Sequence, residues 1–166
     1  MHAWASPGSE MRLVERTPPR GETNKAIACF GAVNAATQER YLMWSEGQPN
    51  TDRTIQFLER MLALAHQQHK QILLVIWDRA SWHKSARLKR WQHAYNRSAK
   101  QKGDVRLLTC LLPIQSPWLN PMEPFWIHAK RKVVEPKGEV SPAELRRRVT
   151  ALIDVDLTSI HLQVSR

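Results

Sequence analysis

The chain has 166 residues, 42% hydrophobic and 24% charged, a balance that supports one domain with its own core and excludes an intrinsically disordered chain. A formal net charge of +10 and a pI near 10.2 point to a polyanionic partner. Only two cysteines occur, Cys29 and Cys110, far apart in apolar runs, which excludes a disulfide framework or a zinc ribbon and fits a reducing cytoplasm.

Met1 to Gly21 is rich in Pro, Gly and Ser, has no apolar stretch of signal-peptide type, and reads as irregular chain. Ala26–Val33 (AIACFGAV) reads as a buried strand, with Arg40–Trp44 as its hairpin partner across Asn34–Glu39. A helix follows, capped by Asn50 or Thr51, with Ile55, Leu58, Met61, Leu62 and Ala65 on its apolar stripe. Ile72–Trp77 (ILLVIW) is unbroken apolar sequence, expected to be a strand covered on both faces and ending at Asp78. Lys84 to Ala99 is basic and expected to be helical, Gln101–Asp104 to be a loop, and Val105–Leu112 to be a second buried strand stopped by Pro113. The segment SPWLNPMEPFW, residues 116–126, leads into a helix through Trp126, Ile127 and Lys130. Ser141, Pro142 and Glu144 open the last helix, whose apolar stripe is Leu145, Val149 and Leu152. From Asp154 onward there is no clear signal. The element order implies an α/β domain with at least one crossover connection, and no apolar run approaches the roughly 20 residues of a membrane span.

Two carboxylates stand out. Asp78 follows the carboxyl end of a buried strand, where open α/β sheets place ligands, although it can equally cap the next turn. Trp82 and His83 put an amphipathic ring and a titratable group nearby. Glu123 has the spacing from Asn120 of a capping box, with Pro121 at the first helical position. Pro124 opposes that reading, because it cannot donate the hydrogen bond that a helix capped at Asn120 needs there. Basic residues cluster at Lys84, Arg87, Lys89 and Arg90, at Lys130–Lys132 and at Arg146–Arg148, as solvated helix faces or as a phosphate-binding surface.

The run DRASWHKS after a strand, then LLP, SPWLNPMEPFW and KRK, resembles the DDE transposases of the mariner-type superfamily, in particular the bacterial insertion-sequence branch. The resemblance extends from about Trp4 to Val134, more weakly at its start in HAWASPGSE. It implies a ribonuclease H-like (integrase-like) mixed sheet flanked by helices, with residues 1–153 as part of the catalytic domain and 154–166 as a C-terminal tail. It also implies that Asp78 and Glu123 are catalytic and hold Mg²⁺ or Mn²⁺, hard cations that oxygen ligands suit in phosphoryl transfer. Arg79, His83, Lys84, Arg87, Lys130, Arg131 and Lys132 would contact DNA, and Trp82 and Trp118 would lie near the site. The implied partners are DNA, as transposon ends and target, and a second copy of the chain, without a membrane, in the nucleoid-associated cytoplasm of a bacterium.

The sequence departs from that family pattern in three places. Asp78 and Glu123 lie further apart than the commonest spacing, and Arg79 stands where an asparagine is usual. The first of the family's catalytic aspartates has no counterpart, Glu10 and Asp52 being the nearest acidic residues. The strand that carries it, central in the family's sheet, is therefore expected to be missing, as in the C-terminal part of a transposase, leaving AIACFGAV and ILLVIW with unpaired edges. Two functions follow as expectations: metal-dependent DNA cleavage and strand transfer, or DNA binding by a catalytically inactive remnant.

Overall fold

A computed structural model describes residues 27–133 and 142–159. The Trp4 segment, Glu10 and the Ser141 cap lie outside them.

The elements follow the expected order. Strands β1 (Ile27–Val33) and β2 (Arg40–Glu46) form an antiparallel hairpin, with Cys29 opposite Trp44 and Gly31 opposite Leu42. Asn34 makes the turn by accepting the Ala36 amide proton on its side chain, at 2.9 Å. Helix α1 (Thr51–Gln67) is capped by Asn50, whose side chain accepts from the Arg53 N–H at 2.9 Å. Strand β3 (Ile72–Trp77) runs parallel to β4 (Arg106–Leu111), and helix α2 (Ala86–Lys102) makes the crossover between them. Ser85 caps α2 at its start and Gly103, at φ 68°, ends it in the left-handed conformation that glycine tolerates best. Helices α3 (Met122–Val133) and α4 (Pro142–Thr150) follow. The last strand, β5 (Val155–Asp156), lies in the segment without a sequence signal. It pairs in parallel with β2, and Leu157 beside it is fully buried.

Two sheets result, ordered β1-β2-β5 and β3-β4. Helix α1 joins them. Its Phe57 packs with Phe30, Tyr41 and Met43 on the larger sheet, while Leu58, Leu62 and Ala65 pack with Leu88, Val105 and Leu107 on the smaller. On the opposite face of the larger sheet, Leu42 and Trp44 meet Phe125 and Trp126 of α3 and Val149 of α4. Gly31 permits this approach: a Cβ there would lie 2.6 Å from Met122 Cε and 2.7 Å from Trp126 Cζ2.

The burial of the strands corrects one expectation. ILLVIW is covered on one face only, with Ile72, Leu74 and Ile76 between 53% and 59% exposed. Leu108, at 41%, continues this apolar face on β4. The strand covered on both faces is β2, despite its arginine, serine and glutamate, because α3 and α4 lie over the larger sheet and not over the smaller one. Among the described residues, β1 has no partner beyond β2 and β3 has none beyond β4.

The start of the other edge of β4 is met by side chains of α2 and by Asp104. Asn96 accepts the Leu107 N–H and donates to the Leu107 carbonyl, both at 2.8 Å. Tyr95 donates its hydroxyl proton to the Val105 carbonyl at 2.9 Å, and the Val105 N–H is held by Asp104 at 2.6 Å.

Candidate active site

Asp78 is the first residue beyond β3, and its backbone is fixed by the parallel pairing of Trp77 with Leu111. The chain then turns through Ala80 into a single 3-10 turn at Ser81–Lys84. Asp78 Oδ1 accepts two hydrogen bonds, from the Ala80 N–H at 3.0 Å and from His83 Nδ1 at 2.8 Å. The capping reading of Asp78 is therefore correct for one oxygen. Oδ2 makes no hydrogen bond among the described residues and belongs to a side chain 58% exposed.

An ionised carboxylate only accepts, so the proton of this pair resides on His83 Nδ1. The imidazole also lies flat on the Trp77 indole, with centroids 4.5 Å apart and planes 5° from parallel. Trp82 meets it edge-on, 6.0 Å away. Burial is the main influence on His83 and holds its pKa below the ordinary histidine value, although the Asp78 carboxylate acts the other way. At 16% exposure its side chain faces the strand end and not the solvent. Within the described residues its polar contact is with Asp78.

Glu123 lies in the first turn of α3. Asn120 does the capping, its side chain accepting from the Met122 N–H at 3.1 Å. The Glu123 N–H closes a tight turn onto the Asn120 carbonyl at 3.0 Å. Pro124 then sits within the first turn, where no N–H is required of it, which removes the conflict seen in the sequence. The Glu123 carboxylate does not return to complete a capping box; it is exposed and makes no hydrogen bond among the described residues.

Both carboxylates line one cleft of about 510 Å³, whose wall also includes Arg79, Lys84, Leu112–Ser116 and Asn120. Two carboxylates and two cations so arranged can hold a hard divalent cation beside a phosphate. Sequence reasoning missed Gln115, a cleft residue held at φ 55°, an uncommon conformation for a non-glycine residue and one that clusters at functional sites. It also missed Trp77, whose fixed place under His83 depends on a turn that periodicity does not reveal.

The remaining expected residues divide. Arg87 reaches Asp52 at 2.6 Å, so the two N-terminal helix ends share an exposed ion pair, and Asp52 does not line the cleft. Lys130 and Arg131 are exposed on α3, Lys130 seven residues beyond Glu123 and thus on the same helix face, about 10 Å further along. Lys132 lies in the same helix. Trp118 is 73% exposed and stands outside the cleft wall. No group of three or more His, Cys, Asp or Glu side chains among the described residues is arranged to hold a metal. No described helix is long and apolar enough to cross a membrane. The Cys29 thiol is pushed well up by burial and, to a smaller extent, by Asp156, so it is inert as a nucleophile.

A family model described as DDE superfamily endonuclease matches residues 1–141. No curated protein and no solved structure matches the chain.

Proposed function

The chain belongs to the DDE superfamily endonuclease family, and on that premise we propose that it is the catalytic part of a bacterial, mariner-type transposase, cleaving DNA and transferring strands at the Asp78–Glu123 cleft. Membership implies a transposase-like nuclease whose substrate is DNA and whose chemistry uses divalent metal ions. The observation that carries the proposal is that two carboxylates distant in sequence line one cleft, each with an oxygen not used by local hydrogen bonding among the described residues. In that reading the sheet is ribonuclease H-like, and the edges of β1 and β3, unpaired among the described residues, support a family sheet with a further strand.

The residues present suit a hard cation, Mg²⁺ or Mn²⁺, at Asp78 Oδ2 and the Glu123 carboxylate. When bound, such a cation neutralises charge on the phosphate and makes a water or a 3′-hydroxyl more acidic. Asp78 and Glu123 line the cleft from a strand end and a helix start, both held by main-chain hydrogen bonds. Arg79 and Lys84 hold phosphate oxygens at the cleft wall, and Lys130 and Arg131 extend that grip along α3. A nicking assay on supercoiled DNA with Mg²⁺ or Mn²⁺ tests this. Wild type is expected to nick and Asp78→Ala and Glu123→Ala to fall to background; equal signal from all three removes the nuclease reading.

The lack of a third clustered ligand among the described residues favours a second reading, DNA binding without cleavage. Its surface is α2, which contains no acidic residue and exposes Lys89, Arg90, His93, Arg97 and Lys100. Both readings predict the same salt response. Log affinity for duplex DNA falls linearly with log salt, and Arg90→Ala and Arg97→Ala each flatten the slope by about 0.9. Fluorescence anisotropy at four salt concentrations measures it, and an unchanged slope in the double variant takes α2 out of the interface.

A further inference from the structure

We propose that His83, seated on Trp77, is a positioning residue that fixes the rotation of the Asp78 carboxylate and so reserves Oδ2 for the cation. This rests on the reading of Asp78 as a metal ligand. A carboxylate at a strand end can rotate about its last side-chain bond, which exchanges its two oxygens. Here Oδ1 is held from two directions, by the Ala80 N–H at 3.0 Å and by His83 Nδ1 at 2.8 Å. The Ala80 bond is local and shared by many aspartates in turns. His83 adds the specific constraint. Its donor cannot swing away, because the ring is clamped against Trp77, 4.5 Å between centroids and 5° from parallel, with Trp82 on its edge.

The pieces come from one short stretch. Trp77 occupies the last position of β3 and points to the covered face with Leu73 and Val75. The 3-10 turn at Ser81–Lys84 returns the chain so that His83 lies over that indole. Hydrogen-bonded partners of metal-ligating carboxylates are commonly worth about 10- to 100-fold in metal affinity.

The test is Mn²⁺ binding by the full chain, measured by isothermal titration calorimetry beside thermal unfolding. His83→Phe retains an aromatic ring for Trp77 and removes the donor; His83→Asn retains a donor on the same carbon and removes the ring. Asp78→Asn is the reference for loss of the ligand. The expected result is that Asp78→Asn loses Mn²⁺ binding, His83→Phe binds about 10- to 100-fold more weakly at unchanged melting temperature, and His83→Asn stays within about threefold of wild type. His83→Phe binding like wild type while Asp78→Asn does not overturns the positioning role and leaves the metal site standing. Equal losses in both His83 variants, tracking a lowered melting temperature, overturn it in favour of a packing role. Asp78→Asn binding like wild type overturns the metal reading of Asp78, and the positioning role with it.

Discussion

Leu107→Ala is expected to cost about 2–5 kcal/mol, whereas Leu74→Ala, removing the same atoms one register step away on the partner strand, is expected to cost under about 1 kcal/mol. The two side chains sit in the same small sheet, on opposite faces. Leu107 is fully buried in the cluster of Leu58, Leu62, Leu88 and Val105, where truncation leaves a cavity that two helices and a strand cannot easily close. Its main chain is held by Asn96 from α2, which further limits relaxation. Leu74 is 58% exposed and already surrenders most of its surface to water in the folded state. Urea unfolding of the two variants, with slopes compared, measures the difference. Equal losses would show that the Ile72–Leu74–Ile76 face is covered in solution.

Gly31→Val brings two opposed effects together, and their sizes decide the sign. Gly31 lies in the middle of β1 with ordinary strand dihedrals, and a β-branched residue there gains about 0.5–1 kcal/mol from chain stiffness and strand preference. Against this stand contacts of 2.6 Å to Met122 and 2.7 Å to Trp126 already at the Cβ position. Met122 can move its terminal methyl group cheaply, but the Trp126 ring is wedged among Leu42, Trp44 and Phe125. Overpacking of this kind costs about 1–3 kcal/mol, so net destabilisation is expected. The helix that must yield is the one that carries Glu123, next in sequence to Met122. Gly31→Val is therefore expected to lower stability and Mn²⁺ affinity together, with Gly31→Ala intermediate. Calorimetric binding and thermal unfolding of the series check this; a Val variant more stable than wild type with unchanged Mn²⁺ binding would refute the close packing of α3 on β1.

Much of the architecture was legible because its signals are local. The Asn50 cap, the Asn34 turn, the crossover helix between two apolar runs and the position of Asp78 at a strand end each depend on a few neighbouring residues. The faces of the strands were not legible in the same way. An apolar run like ILLVIW records what a strand can bury, but which sheet α3 and α4 cover is decided by tertiary contacts such as Trp126 on Gly31. The burial of β2 on both faces was hidden for the same reason, and β5 is too short for any period to register. At the site, sequence spacing could not distribute the oxygens. It offered capping or chemistry for both carboxylates, whereas Asp78 uses one oxygen locally and Glu123 leaves its capping to Asn120.

The amide of Asn96 has a consequence for assembly. By meeting both main-chain groups of Leu107, it takes the place a neighbouring strand would occupy at that position. On the β4 side an added strand would meet no free main-chain group at Leu107, whereas β3 has no partner beyond β4 among the described residues.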